Sequence, residues 1–426
     1  MMITTQARKW FGWLGVIVAV LLGCNVAAID YSSKSQRVVT EATATDDEYN
    51  LMIATEIPDS KRSLEIMRKL CDRNPQLITT RYRGYFKGIH LPTQPDEFTT
   101  AFHEIVLRRP GLAPMLCEKL ALTPSTFVTI QDFRGYTPLH AMASEGKAEI
   151  AVAMCNSLGI HDIKSFSVLK GRLGDTPLHT AAYSGKTLVA LALCNALNIS
   201  CDSFSQLRND EDKTPLEAAI AHNKTDTVRA LCNYLKFTIT SFARFQGPES
   251  DGPLHCAASS GNIESIRVLC DYLKLTPSSF ATLKGKQGQT PLHVAAYWNQ
   301  TEAIKVLCQC LKLNVESFCG LRDKPGFTPL HLAGYWGQTE AAVTLCQGLG
   351  IDANSFSRIR DDNGDTPLHT AAYRGNTETI CELYNFLKLF PKEFYALKDR
   401  HGSTPLDLAA RHGHDETVKV LRELLA

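Results

Sequence analysis

Apolar residues in this chain fall at helical spacing in paired blocks that return at a fixed interval. Residues 301–308, Thr-Glu-Ala-Ile-Lys-Val-Leu-Cys, are one such block, with the spacing of an amphipathic helix. Each block follows a shorter one opened by Thr-Pro-Leu-His, which stands at residues 137–140, 176–179, 290–293, 328–331 and 366–369. Softer copies begin at Thr214, Gly252 and Thr404. The prolines lie at 138, 177, 215, 253, 291, 329, 367 and 405, a first step of 39 residues and then steps of 38. Thr suits a helix N-cap, and Pro suits the first helical position, where its missing N–H costs nothing. Eight residues after the prolines come Gly146, Gly185, Asn223, Gly261, Asn299, Gly337, Gly375 and Gly413, the residue types that a left-handed helix C-terminus accepts. The pattern predicts a helix, a tight turn and an antiparallel helix in every unit. A fixed period of this size predicts a solenoid.

A third, shorter element shares the period. Phe recurs at 127, 166, 204, 242, 280, 318, 356 and 394. Four residues before it stand Thr123, Asp162, Ser200, Thr238, Thr276, Asn314, Asp352 and, exceptionally, Phe390; all but the last are good N-caps. An aliphatic usually follows three residues after the Phe, as at Leu169, Leu207, Leu283, Leu321, Ile359 and Leu397. Cap, Phe and i+3 aliphatic predict one short helical turn per repeat with an apolar edge, its Phe sealing the edge of the stack.

The Thr-Pro-Leu-His opening, the Ala-Ala pair that usually follows, the Gly turn, and Gly288, Gly326, Gly364 and Gly402 two residues before the threonines resemble the ankyrin repeat family. The resemblance covers about residues 132–426. It departs in length, since the family's period is nearer 33 residues, so each unit carries an insertion of about five that holds the short turn. The expected fold is all-α: an ankyrin-type helical-hairpin solenoid of about eight full repeats, with an extra short helical turn in each and degenerate N-terminal caps. The organisation expected is a signal peptide or membrane anchor at 1–29, a polar linker at 30–62, degenerate capping repeats at 63–131 and the ankyrin repeat domain at 132–426. Units this short bury too little surface to fold alone, so stacked units share one long core and form a single domain.

Charge adds little, because the net value is only +1; nothing in it points to nucleic acid. Cysteine changes the picture more. Of fourteen, Cys117, Cys155, Cys194, Cys232, Cys270, Cys308 and Cys346 occupy one equivalent site near the end of the second helix. Neighbouring equivalent sites are separated by a helix-packing distance of about 8–10 Å, beyond the roughly 4.4–6.8 Å between Cα atoms that a disulfide needs. This ladder reads as buried thiols packing as small apolar groups.

Before the repeats, Arg8-Lys9 precedes residues 10–24, which carry no charge, a pattern like a secretory signal. Three outcomes stay open. Leu21-Leu22-Gly23-Cys24 looks like a lipobox with lipidation at Cys24, Val26-Ala27-Ala28 has the small residues of an ordinary cleavage site, and an uncleaved 10–29 is long enough to span a bilayer, which takes about 20 residues. Each expects a protein that is exported or membrane-associated, whether lipoprotein, signal-anchored or secreted.

No catalytic constellation emerges. His140, His179, His255, His293, His331 and His369 belong to the repeat phrase; the resemblance implies structural hydrogen bonds for them, and metal ligands must converge where these march apart. Gly185-Lys186-Thr187 lacks the upstream glycine of a phosphate-binding loop, Thr180 standing in its place. Cys308, Cys310 and Cys319 lack a fourth ligand for zinc. Asn198, Asn223 and Asn299 head sequons, the latter two at the left-handed turn. The expectation is no enzyme, cofactor, metal or small-molecule substrate. The family's partner-binding concave face implies a different kind of site, at the end of the first helix: Tyr183, Tyr297, Trp298, Tyr335, Trp336, Tyr373 and Arg374, residue types favoured at interface hot spots. The function expected is a noncatalytic protein-protein interaction scaffold, with membrane contact through the N-terminal segment. The competing reading places an enzyme or regulator in residues 30–122 with the repeats as its targeting arm.

Overall fold

The computed structural model describes residues 65, 66, 69, 81, 82, 99–171, 173–243, 245 and 251–426. The expected signal or anchor, its Cys24 and the polar linker lie outside the described residues, as does most of 63–98. The chain divides into two units, residues 1–181 with 188–199, and 182–187 with 200–426.

Every predicted hairpin is present. In the second unit the first helices are Pro215–Ala221, Pro253–Ser259, Pro291–Tyr297, Pro329–Trp336, Pro367–Arg374 and Pro405–Arg411, each packed on the next. The second helices, Thr225–Leu235, Ile263–Leu273, Thr301–Leu311, Thr339–Leu349, Thr377–Leu387 and Asp415–Leu424, form a parallel row behind them. The turn residue takes positive φ even where it is Asn223 or Asn299, at 56° and 54°. This is the conformation that Gly and Asn tolerate best.

The first unit holds the same hairpin at Pro138–Glu145 and Ala148–Ser157, and one more before it. Thr100 opens the helix Ala101–Arg108, and its Oγ1 stands 2.8 Å from His103 Nδ1. A short 3-10 turn, Pro110–Leu112, leads into the helix Ala113–Lys119. The Thr–His pair thus recurs in a unit without the proline. Residues Arg81–Tyr82 and Thr99–Thr100 form a two-residue antiparallel pairing just ahead of it.

The short third helix appears in each repeat, for example Pro277–Ala281, Val315–Cys319 and Ala353–Arg358. Its caps act as their side chains require: Thr276, Asn314 and Asp352 each accept from the amide three residues on. Phe390 has no such oxygen, and there Glu393 reaches back to its amide at 2.9 Å. All eight Phe side chains are buried, as are Ile130 and Phe245 at the i+3 position in the repeats where an aliphatic had not been noted. The seven cysteines of the ladder are buried free thiols.

The histidines hold the repeats together. The backbone N–H of Thr137, Thr290, Thr328 and Thr366 donates to Nδ1 of the histidine three residues on, at 3.1 to 3.2 Å. Nδ1 is therefore the unprotonated nitrogen, and Nε2 carries the proton. Nε2 donates to a carbonyl of the following unit: His103 to Tyr136, His140 to Asp175, His255 to Gln289, His293 to Phe327, His331 to Asp365 and His369 to Ser403, at 2.8 to 3.1 Å. That carbonyl belongs to the last residue of a five-residue turn, opened by an in-phase Asp at Asp132, Asp323, Asp361 and Asp399 and by Gly171 and Gly285 in the other two. Asp361 Oδ1, for instance, accepts from the amides of Asn363 and Asp365, both at 2.8 Å. Where Glu217 replaces the histidine, its Oε2 takes the Thr214 amide and hydroxyl, both at 2.8 Å.

Two outcomes follow. Burial lowers His140 and His331 to about 3, and His293 and His369 to about 4, below the unfolded value of about 6.5. A lowered folded value means that the unfolded chain takes protons first, so this stability is full above about 6.5 and drains as pH falls toward 3 to 4. Each of the four loses about 2 kcal/mol by pH 5. Glu217, raised by burial to about 7, and Asp365, raised to about 6, work the other way, but they are fewer. The urea midpoint should be clearly lower at pH 5 than at pH 7; an unchanged or higher midpoint would contradict neutral bridging histidines.

The second outcome concerns Gly334, which stands where other repeats carry Ala182, Ala258, Ala296 and Ala372. A Cβ there would lie 2.6 Å from the Pro367 carbonyl oxygen in the next helix. Helix propensity favours Ala over Gly by about 1 kcal/mol, but a backbone oxygen cannot step aside. Gly334→Ala should destabilise by about 1–3 kcal/mol in a denaturant titration, although it restores the repeat pattern.

Candidate functional site

The ends of the first helices project the aromatic residues that the sequence singles out. Pro291–Tyr297 ends in Tyr297 with Trp298 as its C-cap. Pro329–Trp336 ends in Tyr335 and Trp336, and Pro367–Arg374 ends in Tyr373 and Arg374. Each pair falls on the last turn because the buried face is already taken by Leu, His and the small residues that let the helices approach. The positive-φ turn follows at once, so the helix stops with its bulky residues facing outward.

Six of the seven residues meet. The Tyr297 ring lies edge-on to both Trp298 and Trp336, with centroids at 5.2 and 5.3 Å. Tyr335 is edge-on to Trp336 at 5.4 Å and stacked with Tyr373 at 6.2 Å. The Arg374 guanidinium sits 4.9 Å from the Tyr335 ring centre and 5.7 Å from that of Trp336, the geometry of a cation–π contact. Phe327, from the turn that precedes this repeat's helix, flanks Tyr335 at 5.9 Å. His412 closes the far end against Tyr373 at 4.3 Å. Neither Phe327 nor His412 was singled out by sequence. His412 could have been, since it occupies the same register as Arg374 and Trp336 one repeat on.

Tyr183 does not join this group. Its ring contact is His222, at 5.3 Å, and the intervening repeats carry Ala221 and Ser259 at its register. The strip therefore spans three consecutive repeats and touches a fourth. Its ends stay open to solvent: Trp298 is 58% exposed, Trp336 46% and Tyr373 43%. Tyr297 and Tyr335 are half-buried between their neighbours.

The polar groups of the strip are phenols, indoles, one guanidinium and, at its far end, the His412 imidazole. The imidazoles of His293, His331 and His369 in the same helices are buried and engaged on both nitrogens. What this surface offers chemically is flat π area, two indole N–H donors and a positive charge held over rings.

A family model described as "Ankyrin repeats (3 copies)" matches residues 167–241, 197–280, 243–318, 273–357 and 353–425. No curated protein matches the chain.

Proposed function

The chain belongs to the ankyrin repeat family, and on that footing we propose that it is a noncatalytic scaffold, exported or membrane-anchored, that captures a protein through the aromatic strip. Ankyrin repeats indicate protein–protein interaction in general, and the strip is the feature that makes the proposal specific. The observation that carries it is the exposure of Trp298 and Trp336 beside rings already ordered by their neighbours. Large exposed aromatic surface is unusual on a soluble protein. Rings fixed before binding lose little conformational freedom on contact. Arg374 extends the surface with charge, which favours a partner segment pairing an apolar side chain with an acidic one. Tyr183, remote from the strip, is at most an accessory contact in this reading.

Replacing both tryptophans tests the proposal. The double variant Trp298→Ala/Trp336→Ala should keep the wild-type circular dichroism and lose its hold on the partner captured by the wild-type chain. Individual hot-spot truncations cost about 2 kcal/mol or more, so the pair should lower affinity by a hundredfold or beyond. Unchanged capture by a folded double variant would remove the strip from the function.

Export or anchoring rests on the uncharged run behind Arg8-Lys9. The mass of the mature N-terminus separates its three forms: a lipidated start at Cys24, an unmodified start just after Ala28, or an intact leader retained with membranes. An intact N-terminus on a freely soluble protein would overturn the proposal of export.

A further inference from the structure

The ladder of cysteines has one rung with a second thiol beside it. Cys270 lies in Ile263–Leu273, and Cys308 and Cys310 lie in the next second helix, Thr301–Leu311. Cys310 stands off the ladder, two residues past Cys308, on the side that faces the preceding helix. Its thiol and that of Cys270 are close enough for each to bear on the other's titration.

The following repeat gives the spacing independently. Gly348 is the residue 38 positions after Cys310, just as Cys308 is 38 positions after Cys270. A Cβ on Gly348 would lie 3.6 Å from the Cys308 Cβ and 3.7 Å from its Sγ. By repeat register Cys310 faces Cys270 as Gly348 faces Cys308, and at Gly348 the separation falls inside the roughly 3.5–4.5 Å between Cβ atoms that a disulfide needs. Ladder cysteines are a helix-packing distance of about 8–10 Å apart, whereas the position two residues on leans back across the interface, as Gly348 does toward Cys308. In other repeats this register holds Ser157, Ala196, Tyr234, Tyr272, Gly348 or Phe386, so only one interface carries the pair.

We propose that Cys270 and Cys310 form a reversible disulfide that staples two successive repeats, with a small-molecule or protein disulfide as the oxidant. Cys310 is half-buried and Cys270 is 4% exposed, which fixes the order of events. The Cys310 thiolate attacks one sulfur of the donor disulfide, the donor S–S bond breaks, and one donor thiolate leaves. The Cys270 thiolate then attacks Cys310 Sγ, the mixed disulfide breaks, and the second donor thiolate leaves. The two protons lost by the cysteines reappear on the two donor thiols, and the donor is reduced by the two electrons that the pair gives up. Burial holds both thiols above their ordinary values, so exchange is slow at neutral pH and faster in mild base. The staple closes a long segment of chain, the arrangement in which a cross-link restricts the unfolded state most. It also fixes the repeat whose first helix presents Tyr297 and Trp298 to its neighbour. The chemistry does not depend on whether those residues bind a partner.

The test uses the folded full chain, oxidised glutathione, alkylation of remaining thiols and digestion without reductant. The expected product is a linked peptide pair joining Cys270 to Cys310, two hydrogens lighter than the dithiol. A rise of several degrees in thermal midpoint should accompany it and be reversed by dithiothreitol. Cys310→Ser should keep the circular dichroism and lose both the linked peptide and the rise; Cys308→Ser should keep both. The proposal falls on any of four results: both thiols still alkylated after oxidation, Cys310 joined to Cys319 instead, glutathione retained on Cys310 without closure, or linkage that forms only after unfolding.

Discussion

A neutral imidazole held in one tautomer is the joint on which the stack depends. The threonine amide at the mouth of each first helix has no helical acceptor, and the histidine three residues on supplies one at Nδ1. That bond leaves the ring its single proton at Nε2, where it meets the carbonyl that ends the next repeat's turn. One side chain thus caps its own helix and fixes the register of its neighbour. The ring is buried, where an unmade partner costs about 1–3 kcal/mol, so the two repeats are held in one relation. Protonating Nδ1 would break the cap, which is why the ring must stay neutral. Glu217 shows that the two tasks are separable. Its carboxyl takes the threonine amide and hydroxyl, so the capping half survives without an imidazole.

The short third helix explains how a longer period is carried without loosening that joint. Extra residues between a second helix and the next turn would ordinarily form a longer, more mobile loop. Here they form a capped turn whose Phe is buried in every repeat. The turn that follows is fixed in its own right by an Asp or Asn accepting two backbone amides, as at Asp132, Asp361 and Asp399. The histidine therefore finds its carbonyl in the same place each time. Where Gly285 interrupts that series, the Asp251 carboxylate of the preceding repeat accepts the Lys286 amide instead, at 2.8 Å.

Periodicity made most of this legible from sequence, and the losses occurred where periodicity is silent. Helices, turns, the Phe series and the buried cysteine ladder each recur eight or so times, so their register could be counted. The unit at Thr100 was legible only as a degenerate capping repeat, because Ala101 replaces the proline that marks the others, although Thr100 and His103 were in place. The Asp and Asn turn openers were in phase and visible, but their role depends on a backbone path that composition does not reveal. The pairing of Cys310 with Cys270 required knowing which face of one helix looks at the previous helix. Spacing along a single helix cannot supply that. The aromatic strip was legible residue by residue, but its membership was not: only contact across repeats separates Tyr183 from the other six.

Uniform packing and a local strip are compatible because the two use different faces of the same helix. Residues in the first turn of the first helices are bound by the cap and the histidine bridge; change there propagates into two repeats. In the last turn the face decides: a methyl group on Gly334 meets the Pro367 carbonyl, while Trp336, two residues on, is 46% exposed. Aromatic rings can therefore accumulate over three successive helix ends without disturbing the joints beneath them, and they order one another as they do so. A repeat protein acquires a rigid exposed surface in this way with no departure from its repeating core. Under the proposed function, what varies between repeats at that last turn is what distinguishes one partner from another.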